Sequence, residues 1–118
     1  MIFRQQLNLN STTNTTTVGS GTKWGFGNDL KTKFSLQVTF LDGSGNPINP
    51  NTAEFWFNAT NDNVAYGSMK SCDWVFGTQN NGDVMDEVGG PFSGIQINWN
   101  IADWGSAITC LVTFQAMP

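Results

Sequence analysis

The side chains with chemical potential are four carboxylates, two thiols and a few large aromatics. Asp83, Asp86 and Glu87 lie close together, and Asp103 follows one apolar stretch later. A pair of carboxylates can act as acid and base on a glycosidic bond when a cleft holds them about 5–10 Å apart. Nothing in the spacing pairs any two of these, and unpaired carboxylates usually sit on a solvated loop. The chain contains no histidine, so the ordinary proton shuttle near neutral pH is missing. Serines therefore lack their usual base, and there is no Gly-x-Ser-x-Gly. No Gly-rich phosphate loop or dinucleotide fingerprint occurs. The reading is a chain without enzyme activity and without a cofactor.

Cys72 and Cys110 have no imidazole partner and no Cys-x-x-Cys spacing, which argues against a zinc site. Both fall on the apolar phase of their strands. Two descriptions fit: buried thiols acting as small hydrophobes, or an inter-sheet disulfide of the immunoglobulin kind. Among the aromatics, Trp24 and Phe26 are bracketed by glycines, Trp56 shares the polar phase of its strand, and Trp104 sits in a break beside Asp103. Each is either an anchor for the core or a contact for a partner. Trp24, Trp56 and Trp104, with Asp103 and Asn28 beside them, could stack on a sugar ring and hydrogen-bond its hydroxyls. Asp42, Ser44 and Asn46 resemble the start of a calcium loop, but Pro47 stands where that loop needs glycine and Ala53 where it needs glutamate. A plain turn is the better description, and no metal is expected.

Composition narrows the partners. Only 12 % of the 118 residues are charged and the net charge is −4; Asn, Thr, Gln and Ser supply the polarity. Such a surface suits close contact with other subunits or with sugars. Five Lys and Arg in all are too few to neutralise a nucleic-acid backbone, and an acidic chain is not drawn to an anionic membrane. The opening Met1-Ile2-Phe3-Arg4 has no basic start with a long apolar middle, which predicts either a protein made and used without export through that route or one whose signal has been removed, with Met1 favouring the first.

These side chains must be positioned by short strands. Ile95, Ile97, Trp99 and Ile101 alternate with Gln96, Asn98 and Asn100, and Cys110, Val112 and Phe114 alternate with Leu111 and Thr113. A period of two places one set on each face of a strand. The same pattern predicts strands over 34–41, with Phe34, Leu36, Val38 and Phe40 inward, and over 53–59, with Ala53, Phe55 and Phe57 inward. Residues 64–69 and 71–77 read as two further strands. Residues 2–9 read as a strand or an extended arm, and 10–22 as an exposed Thr/Asn ribbon or loop, followed by a turn at 23–29. Asn81-Gly82 is a hairpin-type signal, and 83–91 reads as an acidic loop. The expectation is one all-β domain spanning 1–118, an antiparallel β-sandwich, immunoglobulin-like or jelly-roll-like, of seven or eight short strands. Residues 1–22 are allowed as an arm or ribbon.

The run Gly27-Asn28-Asp29-Leu30 through Phe34–Phe40, the turn Asp42-Gly43-Ser44-Gly45-Asn46-Pro47 and the strand Ala53–Phe57 resemble the opening of immunoglobulin-like β-sandwich modules in bacteriophage virion proteins. Upper-baseplate proteins carry modules of this type. Phe92-Ser93-Gly94, followed by two alternating strands, is similar to their ending. The resemblance implies a structural virion protein, assembled in the host cytoplasm as capsid decoration, neck or tail component. It would be held by copies of itself and by other virion proteins, and host glycans are a further partner open to it. A carbohydrate-binding module is the alternative.

Overall fold

The computed structural model describes residues 2–9, 18–26, 29–62 and 65–117, with backbone alone at 18, 22, 68–72 and 87–89. Alternation produces eight strands: β1 (Ile2–Asn8), β2 (Val18–Gly25), β3 (Lys31–Leu41), β4 (Thr52–Thr60), β5 (Gly67–Val75), β6 (Val84–Phe92), β7 (Gly94–Asp103) and β8 (Thr109–Met117). Sheet I has the order β1-β8-β3-β6 and sheet II the order β2-β7-β4-β5. Every pairing is antiparallel.

The inner faces carry the residues the period of two selects. Sheet I contributes Leu36, Val38, Phe40, Val112 and Phe114; sheet II contributes Phe55, Phe57, Trp74, Ile97 and Ile101, all buried. Rings interlock across the gap, with Phe57 5.1 Å from Phe114 and Phe40 6.1 Å from Phe55 between centroids. Burying one such side chain is worth about 1.5–3 kcal/mol, so this slab is the principal source of stability.

The expected sandwich is present, and its connectivity is that of a jelly roll. Every link except β4–β5 crosses from one sheet to the other. An immunoglobulin sandwich instead places its first, second, fifth and fourth strands in one sheet. The immunoglobulin-like alternative is therefore corrected: the two topologies share alternation and turn chemistry and differ only in which strands pair. The C-terminal ends of β1, β3, β5 and β7 lie at one end of the sandwich, and those of β2, β4 and β6 at the other.

Other boundaries differ from expectation. β7 and β8 do not pair with each other; they face one another across the core. Residues 2–8 form the edge strand of sheet I, in register with β8 from Ile2↔Gln115 to Asn8↔Thr109, and are not an arm. The expected ribbon and turn contain β2, whose residues Val18–Ser20 and Lys23–Gly25 pair with β7 around a bulge. Glycine hides this strand from a sequence reading. A Cβ on Gly19 would stand 2.9 Å from the Trp99 ring, and one on Gly21 would stand 2.7 Å from Ile97 Cγ2 and collide with Gln5 Oε1. The residues are small because core side chains fill that space. The run 67–75 is one strand. The acidic loop at 83–91 is largely β6, an edge strand with Met85 packed on the core and Val84 and Asp86 facing out. Asn81-Gly82 joins strands of different sheets and closes no hairpin. Asn81 instead caps β3: Phe40 N donates to its Oδ1 at 2.6 Å, and its Nδ2 donates to Phe40 O at 3.1 Å.

Candidate functional site

The candidate residues are distributed by the strands that carry them. Trp24 lies at the end of β2, opposite Ile95, and packs against Phe3 and Phe114 at 5.0 and 5.1 Å. Phe26 is buried beside it, 6.0 Å from Phe3 and 5.9 Å from Lys31 Nζ. That lysine is itself buried and bonds Asp29 Oδ2 at 2.6 Å. Trp24 and Phe26 thus close one end of the core. Trp104 packs half-buried against the core at the far end of β7. Beside it, Asp103 accepts hydrogen bonds from Asn51 Nδ2 at 3.1 Å and Gly105 N at 3.0 Å, holding the turn. The two ends of β7 are about 31 Å apart at about 3.4 Å per residue, so these aromatics do not form one platform. Asn28 lies outside the described residues.

The carboxylates are not brought to a cleft. Asp83 accepts from Asn80 N at 2.7 Å, Asp86 faces solvent from β6, and Asp103 belongs to the other sheet. The side chain of Glu87 lies outside the described residues. Asp42 accepts from Ser44 N and Asn46 N at 2.9 and 3.0 Å, so its carboxylate is engaged in fixing the turn. Among the described residues no cluster of three or more acidic, Cys or His side chains is placed to hold a metal. Cys110 is a free, buried thiol, and burial pushes it well above its ordinary pKa. The side chain of Cys72 is outside the described set.

What the fold does present is two broad outer faces. On sheet II, Trp56 is half-buried in register with Asn98 on β7 and Asp73 on β5. Asn98 is buried although it lies on the outer face: Ser20 Oγ donates to its Oδ1, and Gln96 Nε2 beside it reaches Gly21 O at 3.0 Å. These amides hold the bulged edge strand β2 in place. On sheet I the register sets the outward side chains in rows. Ile2, Gln115, Ser35 and Asp86 form one row, and Arg4, Thr113, Gln37 and Val84 the next. Met117 and Lys33 lie beyond the first. This face was missed from the sequence, because its β6 column was read as loop; the alternation of Val84, Met85 and Asp86 was the available signal.

No family profile matches the chain, and no curated protein matches it in sequence. Among solved structures it is similar to the SPBc2 prophage-derived protein YomS, with a TM-score of 0.50 at 7% identity, over 98% of this chain and 96% of that one. PirA superposes with a TM-score of 0.49 at 7% identity, over 97% and 93% of the two chains. The likeness to YomS is one of fold. The same sandwich architecture therefore occurs in a prophage-derived protein. Chemically, the outer faces offer hydroxyls and amides in flat arrays, suited to hydrogen bonding and close packing.

Proposed function

We propose that this chain is a non-enzymatic structural protein of a virion, a capsid-decoration, neck or tail component that works by contact with copies of itself and with neighbouring virion proteins. The observation that carries the reading is the make-up of the outer faces. They are wide and sparsely charged, and Thr, Ser, Gln and Asn line them. Such surfaces have few charges to strip of water, and their amides and hydroxyls can recover the cost of burial by pairing across a contact. The prophage origin of a protein with the same fold is in keeping with this setting, as are the jelly rolls of viral capsids. The test is to purify particles from the culture that produces the chain and label them with an antibody against it. Regular labelling at one position on the particle is expected. Particles free of the chain, together with a strictly monomeric purified protein, would reject the reading.

One observation favours a second reading. Of the three candidate tryptophans, Trp56 alone lies on an outer sheet face, between an amide and a carboxylate. That is the chemistry of a sugar subsite, with ring stacking on the indole and a hydroxyl on the neighbouring Asp73; Asn98 is buried and engaged with Ser20, and takes no part. A glycan array should then give hits that Trp56→Ala abolishes; an array without hits would remove it.

A further inference from the structure

The large hydrophobics exposed among the described residues are Ile2, Leu30, Val84 and Met117, at 55%, 42%, 61% and 49%. Three lie on the outer face of sheet I, and Leu30 immediately precedes β3. The same face carries Arg4 on β1, one edge, and Asp86 on β6, the opposite edge, both exposed. Apolar groups and opposite charges are thus laid out on one surface with its two edges complementary.

We propose that the outer face of sheet I binds the same face of a second copy of this chain, about a two-fold axis running along the strands. The proposal rests on the assembly reading above and names the partner surface. Two in-plane axes can stack a sheet on its twin. An axis across the strands would lay β1 over β1 and bring Arg4 towards Arg4 and Asp86 towards Asp86. An axis along the strands lays β1 over β6 of the other copy. Each row then lies over its own copy, Ile2 above Asp86 and Arg4 above Val84; Arg4 reaches Asp86 on the diagonal, about 7 Å further along the strand, and Ile2 reaches Val84 likewise, each twice by symmetry. In the same arrangement β8 lies over β3, so Met117 meets the aliphatic stem of Lys33, and Thr113 meets Gln37. No like charges oppose each other among these residues. Four strands about 4.8 Å apart and about 30 Å long give a footprint of roughly 600 Å² per copy. Specific pairs typically bury about 800 Å² per partner, so the expected contact is a modest one, suited to reinforcement within an array.

Sedimentation velocity at low salt tests this with Arg4→Glu, Asp86→Lys and their equimolar mixture. The wild type should show concentration-dependent dimers below about 0.1 mM. Each single variant opposes like charges at both edge contacts and should weaken association by about tenfold or more. The mixture should restore it, because the carboxylate introduced in one variant then meets the ammonium introduced in the other, and the native Arg4 meets the native Asp86. Both sites are exposed, and unchanged far-UV spectra and melting curves would show that the variants fold. Self-association that neither variant alters, or a mixture no better than its components, would overturn this face while leaving the assembly reading intact. A wild type that stays monomeric would overturn the face directly, and particle labelling would then decide the broader reading separately.

Discussion

The central strands β3, β4, β7 and β8 and the edge strands β1, β2, β5 and β6 are built on different rules. Each central strand has two neighbours and one face in the slab, so its inward positions are apolar along most of its length: Phe, Ile, Val, Leu and Trp at the middle, with Ala53, Ala59, Cys110 and Ala116 towards the ends of β4 and β8. The edges are irregular. β2 places glycine at inward positions to admit Trp99, and the β2, β5 and β6 ladders carry bulges, whereas the central β4–β7 ladder shifts register only at its end, between Thr52 and Glu54. β6 contains Gly90 and Pro91, with Gly90 at φ 92°. An edge strand has one free row of backbone groups, and irregularity, charge and proline there discourage unwanted pairing. The centre of this molecule is thus shaped by packing, and its rim by what the rim must admit or repel.

Substitutions should separate the two zones when stability is followed by urea denaturation. Phe55→Ala in central β4 removes a ring that touches Phe40 and Trp74 at 6.1 and 5.9 Å; a loss of about 3–5 kcal/mol is expected. Gly21→Val in edge strand β2 forces a branched side chain into Gln5 and Ile97, and overpacking of this kind should cost about 1–3 kcal/mol. A neutral result would mean that β2 is not held where it lies. Asn81→Ala removes the acceptor of Phe40 N and one of two donors to Phe40 O, which keeps Ile48 N at 3.0 Å. Its expected cost is about 1.5 kcal/mol. Val84→Thr, at the outward face of β6, should change stability by no more than about 0.5 kcal/mol. Should it cost as much as Phe55→Ala, the division into packed centre and tolerant rim fails.

The same division explains what was legible. Phe34 to Phe40, Ala53 to Phe57 and Ile95 to Ile101 announce their faces because burial on one side requires an unbroken alternation. β2 and β6 were not read as strands: glycine, proline and acidic residues are local turn formers, and they masked the short alternation at Val84–Asp86 in β6, while in β2 only the ring of Trp99 explains the glycines. The aromatic candidates were readable as residue types but not as locations. Trp24, Phe26 and Trp104 took the anchoring alternative and joined the ends of the core, and Trp56 lies on the outer face to which its phase assigned it. The outer face of sheet I could not be read at all, since Arg4 and Asp86 are far apart in sequence and meet one surface only through β8 and β3.

Residue order by itself determined which side chains enter the slab, because a period of two sorts each strand into an apolar and a polar face whatever its neighbour. It also determined the sparsely charged exterior. The partner of each strand was decided only in three dimensions. Identical alternation serves an immunoglobulin sandwich or a jelly roll, and the choice between them lies in contacts between residues distant along the chain: rings meeting across the core, glycines making room for them, and an asparagine closing the end of β3.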